Sequence, residues 1–308
     1  MPISDAARAQ WQIHLCVLLW GFTAILGKLI SLAALPLVWW RMALVALMLM
    51  LVPRVWHSLR VMGARDIAAI AAVGVVVALH WLTFYASIKL SNASVAATCM
   101  ALGSVFTALI EPFAARRRFA FGEVLLGIAA IPGVVLVVGG VPAGMWTGIA
   151  VGVLSALFAA TFGSLNKRFV ASSDPLAITF IEMAAGVLLL SLATPLLGGA
   201  IPLFDTPLLV APDARDFAYL LLLAVACTLL PFALSLVALR HMSAFNAQLV
   251  INLEPVYTVL LAIVLLNEQR ELTPMFYLGV ALLVACVFAP VAFRARTSAS
   301  MRSLRESD

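Results

Sequence analysis

Val105-Phe106-Thr107-Ala108-Leu109 recurs as Val256-Tyr257-Thr258-Val259-Leu260, 151 residues further along the chain. The same offset pairs Lys89 with Arg240, Ala93 with Ala244, Ala96 with Ala247 and Leu102 with Leu253, and an offset of 152 pairs Leu126-Gly127 with Leu278-Gly279. Near the start of each half, an offset of 139 aligns Leu35-Pro36 with Asp174-Pro175 and Lys28 with Lys167. Leu- and Ala-rich helices resemble one another by chance, but repeats in membrane proteins are typically this faint, and similarity at a fixed period marks a duplicated unit.

What is duplicated follows from composition. Of 308 residues, 64% are apolar and 11% charged, against roughly 45–50% and about 25% in a soluble domain. A water-soluble surface cannot be assembled from so few charges. A spanning helix needs about 20 mostly apolar residues, because its backbone polar groups must be satisfied within the segment. Ten stretches qualify: 11–31, 35–52, 66–88, 92–115, 121–139, 144–165, 175–196, 216–238, 243–266 and 274–293. The breaks carry turn formers and charges, among them Pro53-Arg54, Ser91-Asn92, Arg116-Arg117-Arg118, Gly139-Gly140-Val141-Pro142, Ser172-Ser173-Asp174-Pro175 and Asn267-Glu268-Gln269-Arg270. Five helices per half is an odd number, so the second half enters the membrane from the opposite side. The expected fold is all-α: a polytopic membrane protein of ten transmembrane helices, two inverted five-helix repeats around a central cavity. Residues 1–140 form the first repeat, 141–293 the second, and 294–308 a basic tail. Such inverted pairs typically form transporters with the substrate at mid-membrane.

The apolar run from Trp11 to Ile30 is longer than the roughly 7–15-residue core of a cleaved signal and reads as a retained first helix. With the N-terminus in the cytoplasm, fourteen Lys and Arg fall in cytoplasmic segments (Arg8, Arg54, Arg60, Arg65, Arg116 to Arg118, Lys167, Arg168, Arg240, Arg294, Arg296, Arg302, Arg305) and four outside (Lys28, Lys89, Arg215, Arg270). That bias is expected to place both termini in the cytoplasm. The net charge of +5 is spread over loops without an aromatic and basic stripe, so no nucleic-acid partner is expected. Cys16, Cys99, Cys227 and Cys286 lie inside apolar spans without ligand spacing and read as packing residues. No metal, cofactor, phosphate-binding loop or Ser/His/Asp arrangement is expected, hence no enzyme. The competing class, an intramembrane enzyme or scaffold, would need a base and nucleophile at facing depths, and His80 has no obvious Asp or Cys partner.

Each half carries a third helix running into a characteristic turn, Ala86-Ser87-Ile88-Lys89 then Ser91-Asn92-Ala93-Ser94-Val95-Ala96, and Val237-Ala238-Leu239-Arg240 then Met242-Ser243-Ala244-Phe245-Asn246-Ala247. With Glu254-Pro255 and Glu268 in the second half, these segments resemble the EamA repeats of the drug/metabolite transporter superfamily. Within it the pattern looks most like the YddG-type aromatic amino acid exporters of bacteria. The resemblance implies a ten-helix basket with a central cavity and export of neutral aromatic amino acids. Small multidrug relatives exchange protons through a glutamate in the first helix, which here has no carboxylate in its membrane-spanning part.

Ionisable groups within the membrane are costly and mark pathways or paired sites. Lys28 and Arg41 are expected to snorkel to the headgroups, or else to stand at the cavity mouth for a substrate carboxylate. Glu111, close to Arg116 at the inner end of its helix, is expected to form a structural ion pair or to sit at the interface. His80 shares a helix face with Phe84 and Ser87, and Trp81 the adjacent face with Tyr85; imidazole and rings together would make a polar point on an apolar, stackable wall, unless a backbone carbonyl simply satisfies His80. Further candidates for substrate contact are Trp20 and Thr23 in helix 1, Met100 and Ser104 on a polar stripe with Thr107 and Glu111, Phe162, Asn252, and Glu254 ahead of Pro255. Glu182 and Glu254 could meet a substrate ammonium or take up a proton. Trp39 and Trp40 read as an interfacial belt, and Gly144, Gly148, Gly152 and Ala93, Ala97, Ala101 as close-packing seams within a monomer. The partners expected are the lipid bilayer and a small neutral amino acid, the alternative being another small metabolite such as a nucleotide-sugar.

Overall fold

The computed structural model describes residues 4–114, 118–119, 121–129 and 131–286; Arg116-Arg117 and the basic tail at 294–308 lie outside the described residues. Within them every regular element is helical. In chain order these are α1 (Asp5–Leu29), α2 (Ala34–Met50), α3 (Pro53–Val61), α4 (Ala64–Leu90), α5 (Ala93–Ala114), α6 (Phe121–Ala129), α7 (Ile131–Gly139), α8 (Ala143–Phe169), α9 (Pro175–Leu197), α10 (Ala214–Leu239), α11 (Ala244–Leu266) and α12 (Pro274–Cys286). Their starts obey local rules. Ser4 Oγ accepts from the Ala7 N–H, Asn92 from Val95, Asp174 from Leu176, Asp213 from Asp216 and Ser243 from Asn246, each satisfying a backbone donor that a helix N-terminus leaves open.

Seven of these helices, α1, α4, α5, α8, α9, α10 and α11, are long and apolar enough to cross a bilayer. Shorter apolar helices stand where the other three crossings are expected: α2, the pair α6 and α7, and α12. The span expected at 35–52 becomes a 17-residue α2 followed by α3 at an angle of 86°. At 1.5 Å per residue α2 reaches about 26 Å, a little under the roughly 30 Å hydrocarbon thickness, and Pro53 starts the new helix.

Hydrogen bonds between connections fix which helix ends meet. On the face where α1 begins, Arg54 pairs with Asp174 at 2.6 Å, and Arg240 donates to the Val170 and Ser173 carbonyls at 2.7 and 2.8 Å. On the opposite face, the Ser31 hydroxyl donates to Asp216 at 2.6 Å and Lys89 to the Ile30 carbonyl at 2.6 Å. Lys89 and Arg240, paired by the repeat, thus make one contact twice: each caps the carbonyl end of the first helix of its own half, at opposite ends of the bundle. An inverted duplication requires that relation.

Side-chain packing is inside-out relative to a soluble protein. Leu47, Leu188, Leu192, Leu196, Leu260, Val264 and Leu278 are exposed on outer faces, an apolar surface far larger than water tolerates, while Thr98, Ser155, Thr179 and Thr228 are buried. The small-residue seam on α8 is real at two of its three positions. A side chain at Gly148 would strike Ser91 at 2.7 Å, and one at Gly152 would meet Ser87 Oγ at 2.8 Å and Cys99 Sγ at 2.9 Å, whereas Gly144 faces open space. The close approach lets Ser87 Oγ donate to the Gly148 carbonyl at 2.7 Å. All four cysteines are free, three of them buried.

Candidate functional site

A cavity of about 110 Å³ lies at the centre of the bundle, against the roughly 10–15 Å³ that one water requires on the same kind of measure. Both halves line it. The first contributes Ile13, Trp20 and Thr23 from α1, Arg41 from α2, His80, Trp81 and Phe84 from α4, and Met100 and Thr107 from α5. The second contributes Ala159, Phe162 and Gly163 from α8, Phe232, Ser235 and Leu239 from α10, and Ala244, Ala247, Gln248, Ile251 and Glu254 from α11.

Three of these helices lose regularity beside the cavity. A 3₁₀ turn interrupts α5 at Met100–Leu102, α11 is broken just before Glu254-Pro255, and α10 contains a π-turn at Val225–Leu229 ahead of Pro231. Proline has no N–H to return to the carbonyl four residues back, and π-turns concentrate at functional sites. Irregular backbone at this depth is tolerated where it is buried in protein or lines a cavity.

The π-turn positions Arg41. This side chain is 2% exposed; its Nε donates to Thr228 Oγ1 at 2.6 Å, Nη1 to the Tyr85 hydroxyl at 2.8 Å and Nη2 to the Cys227 carbonyl at 3.3 Å. Pro231 stands four residues beyond Cys227 and cannot bond that carbonyl. The guanidinium lies over the Trp81 ring at 3.8 Å, a cation–π contact. Three of the five guanidinium N–H groups are used, leaving one on each terminal nitrogen. Among the described residues no carboxylate lies within 4.0 Å of Arg41, although Glu254 lines the same cavity. A buried cation without a counter-ion is costly, and two N–H groups on adjacent nitrogens suit a carboxylate.

An aromatic surface leads away from Arg41. Trp81 meets Phe232 edge-on at 6.1 Å, Phe232 stacks on Phe162 at 6.1 Å, Phe162 contacts His80 at 5.4 Å and His80 contacts Phe84 at 6.0 Å. The Ser155 hydroxyl donates to the His80 carbonyl at 2.9 Å, and His80 Nδ1 lies 3.0 Å from the Ser155 carbonyl. Ser155 Oγ also lies 2.9 Å from Nδ1; with the hydroxyl proton on the His80 carbonyl, both Ser155 oxygens accept from an Nδ1–H, and in that arrangement Nε2 is an acceptor. Both expectations for His80 hold together: a backbone carbonyl satisfies one nitrogen, and the ring lines the cavity. The Thr23 hydroxyl, beside the Cys227 thiol, makes no bond of good geometry.

Of the residues singled out in the sequence, Trp20, Thr23, His80, Trp81, Phe84, Met100, Phe162 and Glu254 meet at this cavity. Four others stand off its wall. Tyr85 lies behind Arg41 as its hydrogen-bond partner, Ser104 donates to the Ala101 carbonyl at 3.1 Å, and Asn252 accepts from Gln248 at 3.3 Å. Glu182 is fully buried with neither carboxylate oxygen in a hydrogen bond of good geometry, the Asn166 amide lying beside it. The polar stripe of α5 divides accordingly, Met100 and Thr107 facing the cavity and Ser104 and Glu111 turning elsewhere. Arg41 corrects the expectation of snorkelling, since Thr228, Tyr85 and Trp81 hold it inside. The partner expected for Glu111, Arg116, lies outside the described residues; the Glu111 carboxylate accepts from the backbone N–H groups of Ala244 and Phe245 at 2.8 Å each. Trp39 and Trp40 donate to Ser191 Oγ and to the Val210 carbonyl, both at 2.9 Å, so these indoles are fastened to protein. The reading of helix faces also missed Phe232, whose part of α10 offered no titratable or aromatic cluster to draw attention.

The profile of the EamA-like transporter family matches residues 9–139 and again residues 146–289. No curated protein matches. Among solved structures, one described only as the crystal structure of a protein superposes with a TM-score of 0.65 at 15% identity, covering 91% of this chain and 96% of its own; that likeness concerns the fold alone.

Proposed function

Because the chain belongs to the EamA-like transporter family, a family of membrane transporters of small molecules, we propose that it exports aromatic and hydrophobic amino acids across the bacterial inner membrane, its two repeats rocking in alternating access around the central cavity. The observation that carries this reading is Arg41, a buried cation that among the described residues has two N–H groups left unused and no ion-pair partner within 4.0 Å, set at one end of an aromatic wall with Glu254 on the same cavity. A zwitterion satisfies both ends: its carboxylate takes the Arg41 fork and its ammonium meets Glu254 and the His80 acceptor. Its side chain lies along Trp81, Phe232, Phe162 and Phe84. Small-molecule sites are typically apolar with a few placed polar groups, as here. A nucleotide-sugar, the alternative, carries several negative charges, and Arg41 is the one Lys or Arg among the cavity residues.

Counterflow in proteoliposomes tests the assignment. Labelled phenylalanine should exchange saturably, while phenethylamine, which lacks the carboxylate, and 3-phenylpropanoate, which lacks the ammonium, should each compete at least about tenfold more weakly, the loss expected for one charge-assisted contact of roughly 1.4 kcal/mol. Absence of saturable exchange with any amino acid would overturn it.

A further inference from the structure

Helices α5 and α11 run antiparallel past the cavity, and a carboxylate joins them at each end. On the face where α1 begins, Glu111 near the end of α5 accepts from Ala244 and Phe245 N–H at the start of α11, 2.8 Å each. On the opposite face, Glu268, just beyond α11, accepts from Ala93 N–H at 3.0 Å, from Ser94 N–H at 2.9 Å and from Ser94 Oγ at 2.6 Å at the start of α5. Both glutamates are almost fully buried. Each is donated by one half of the chain and received by the other, so both contacts cross the boundary between the repeats.

We infer that Glu111 and Glu268 are the two latches of the transport cycle, each closing the cavity on its own face, and that opening to one side releases one latch while the other holds. Three features support this. A carboxylate seated on the first N–H groups of a helix is favoured by the open donors and the helix dipole together, in a setting where charge-assisted bonds are short and strong, so each contact is made or lost as a unit. The Glu111 latch borders the substrate space, since Thr107, one turn before Glu111, and Ala244, which Glu111 holds, both line the cavity, while the Glu268 latch stands beyond the lining at the other end of the same two helices. Finally, α5 and α11 are each interrupted between their two latches, at Met100–Leu102 and just before Glu254, so one half of either helix can tilt while the other half stays fastened. With both latches formed, this helix pair is fastened at both ends.

The inference rests on the transporter reading but not on the substrate assigned above, and its test needs no substrate. Gly163 lines the cavity and has open space where a side chain would project, so Gly163→Cys places a reporter thiol there. Labelling by a membrane-impermeant maleimide, counted above that of the chain with native cysteines only, is measured from each face in intact cells and in inverted vesicles. In the Gly163→Cys background, Glu111→Gln should raise the labelling rate about tenfold from the face where α1 begins and leave the other face unchanged; Glu268→Gln should do the reverse. Should either variant fail to fold, the milder Glu111→Asp and Ser94→Ala replace it and should give smaller increases on the same respective faces. Labelling that rises on both faces alike, on the same face for both latches, or on neither overturns the inference. Absence of phenylalanine exchange by the unsubstituted chain, with one-sided labelling of the latch variants intact, would instead fault the substrate assignment.

Discussion

A single arginine separates what position along a helix tells from what its orientation tells. Arg41 lies seven residues into α2, about 10 Å along the axis, a depth from which a long side chain can in principle reach the headgroups. Its direction is set by partners from distant sequence: Thr228 and Cys227 on α10, Tyr85 and Trp81 on α4. His80, Trp81 and Phe84 were legible because they share a face by helical period and combine an imidazole with rings. Arg41→Lys tests the fork directly. An ammonium on a flexible stem keeps the charge but cannot hold Thr228, Tyr85 and a carboxylate in one plane. The KM for phenylalanine counterflow should rise roughly 10–100-fold, the range for one charged hydrogen-bond pair, with protein abundance unchanged. An unchanged KM would remove Arg41 from the substrate site.

At the scale of elements, apolar length and turn formers located the seven long helices, every end to within six residues, since both are local properties. The irregular turns were only half legible: Pro255 marked a break in α11, but nothing local announced the π-turn at Val225–Leu229. Its consequence can be measured. In Pro231→Ala the backbone regains an N–H opposite the Cys227 carbonyl and can wind as ordinary helix, drawing Thr228 and that carbonyl away from Arg41. The chain should stay folded, because alanine favours helix, while the KM rises at least about fivefold, a cost of roughly 1 kcal/mol. The α8 seam gives a stability counterpart. Gly152→Val must displace Ser87 and Cys99, so it should cost about 1–3 kcal/mol as overpacking does, read as a fall of several degrees in the detergent melting temperature. Gly144→Ala, in open space, should leave that temperature unmoved.

For the whole molecule, the repeat places the Lys89 contact and the Arg240 contact at opposite ends, and the expected orientation puts the Arg240 end in the cytoplasm. Leu209→Cys, on the exposed connection between α9 and α10, should therefore react with an impermeant maleimide on intact cells. Ser172→Cys, exposed between α8 and α9, should react only after permeabilisation. The reversed pattern would invert the molecule in the membrane and with it the direction assigned to each latch. Composition and the offset of 151 residues were enough by themselves to determine a membrane bundle of duplicated halves, because a bilayer demands apolar length and a duplication leaves similarity at a fixed offset, and both are written along the chain. Tertiary structure alone decided that Arg41 turns inward, that Glu182 stands apart from the cavity, and that Glu111 and Glu268 seize the helix starts of the opposite repeat. Those outcomes depend on how helices rotate against partners far along the chain, and no local pattern encodes that rotation.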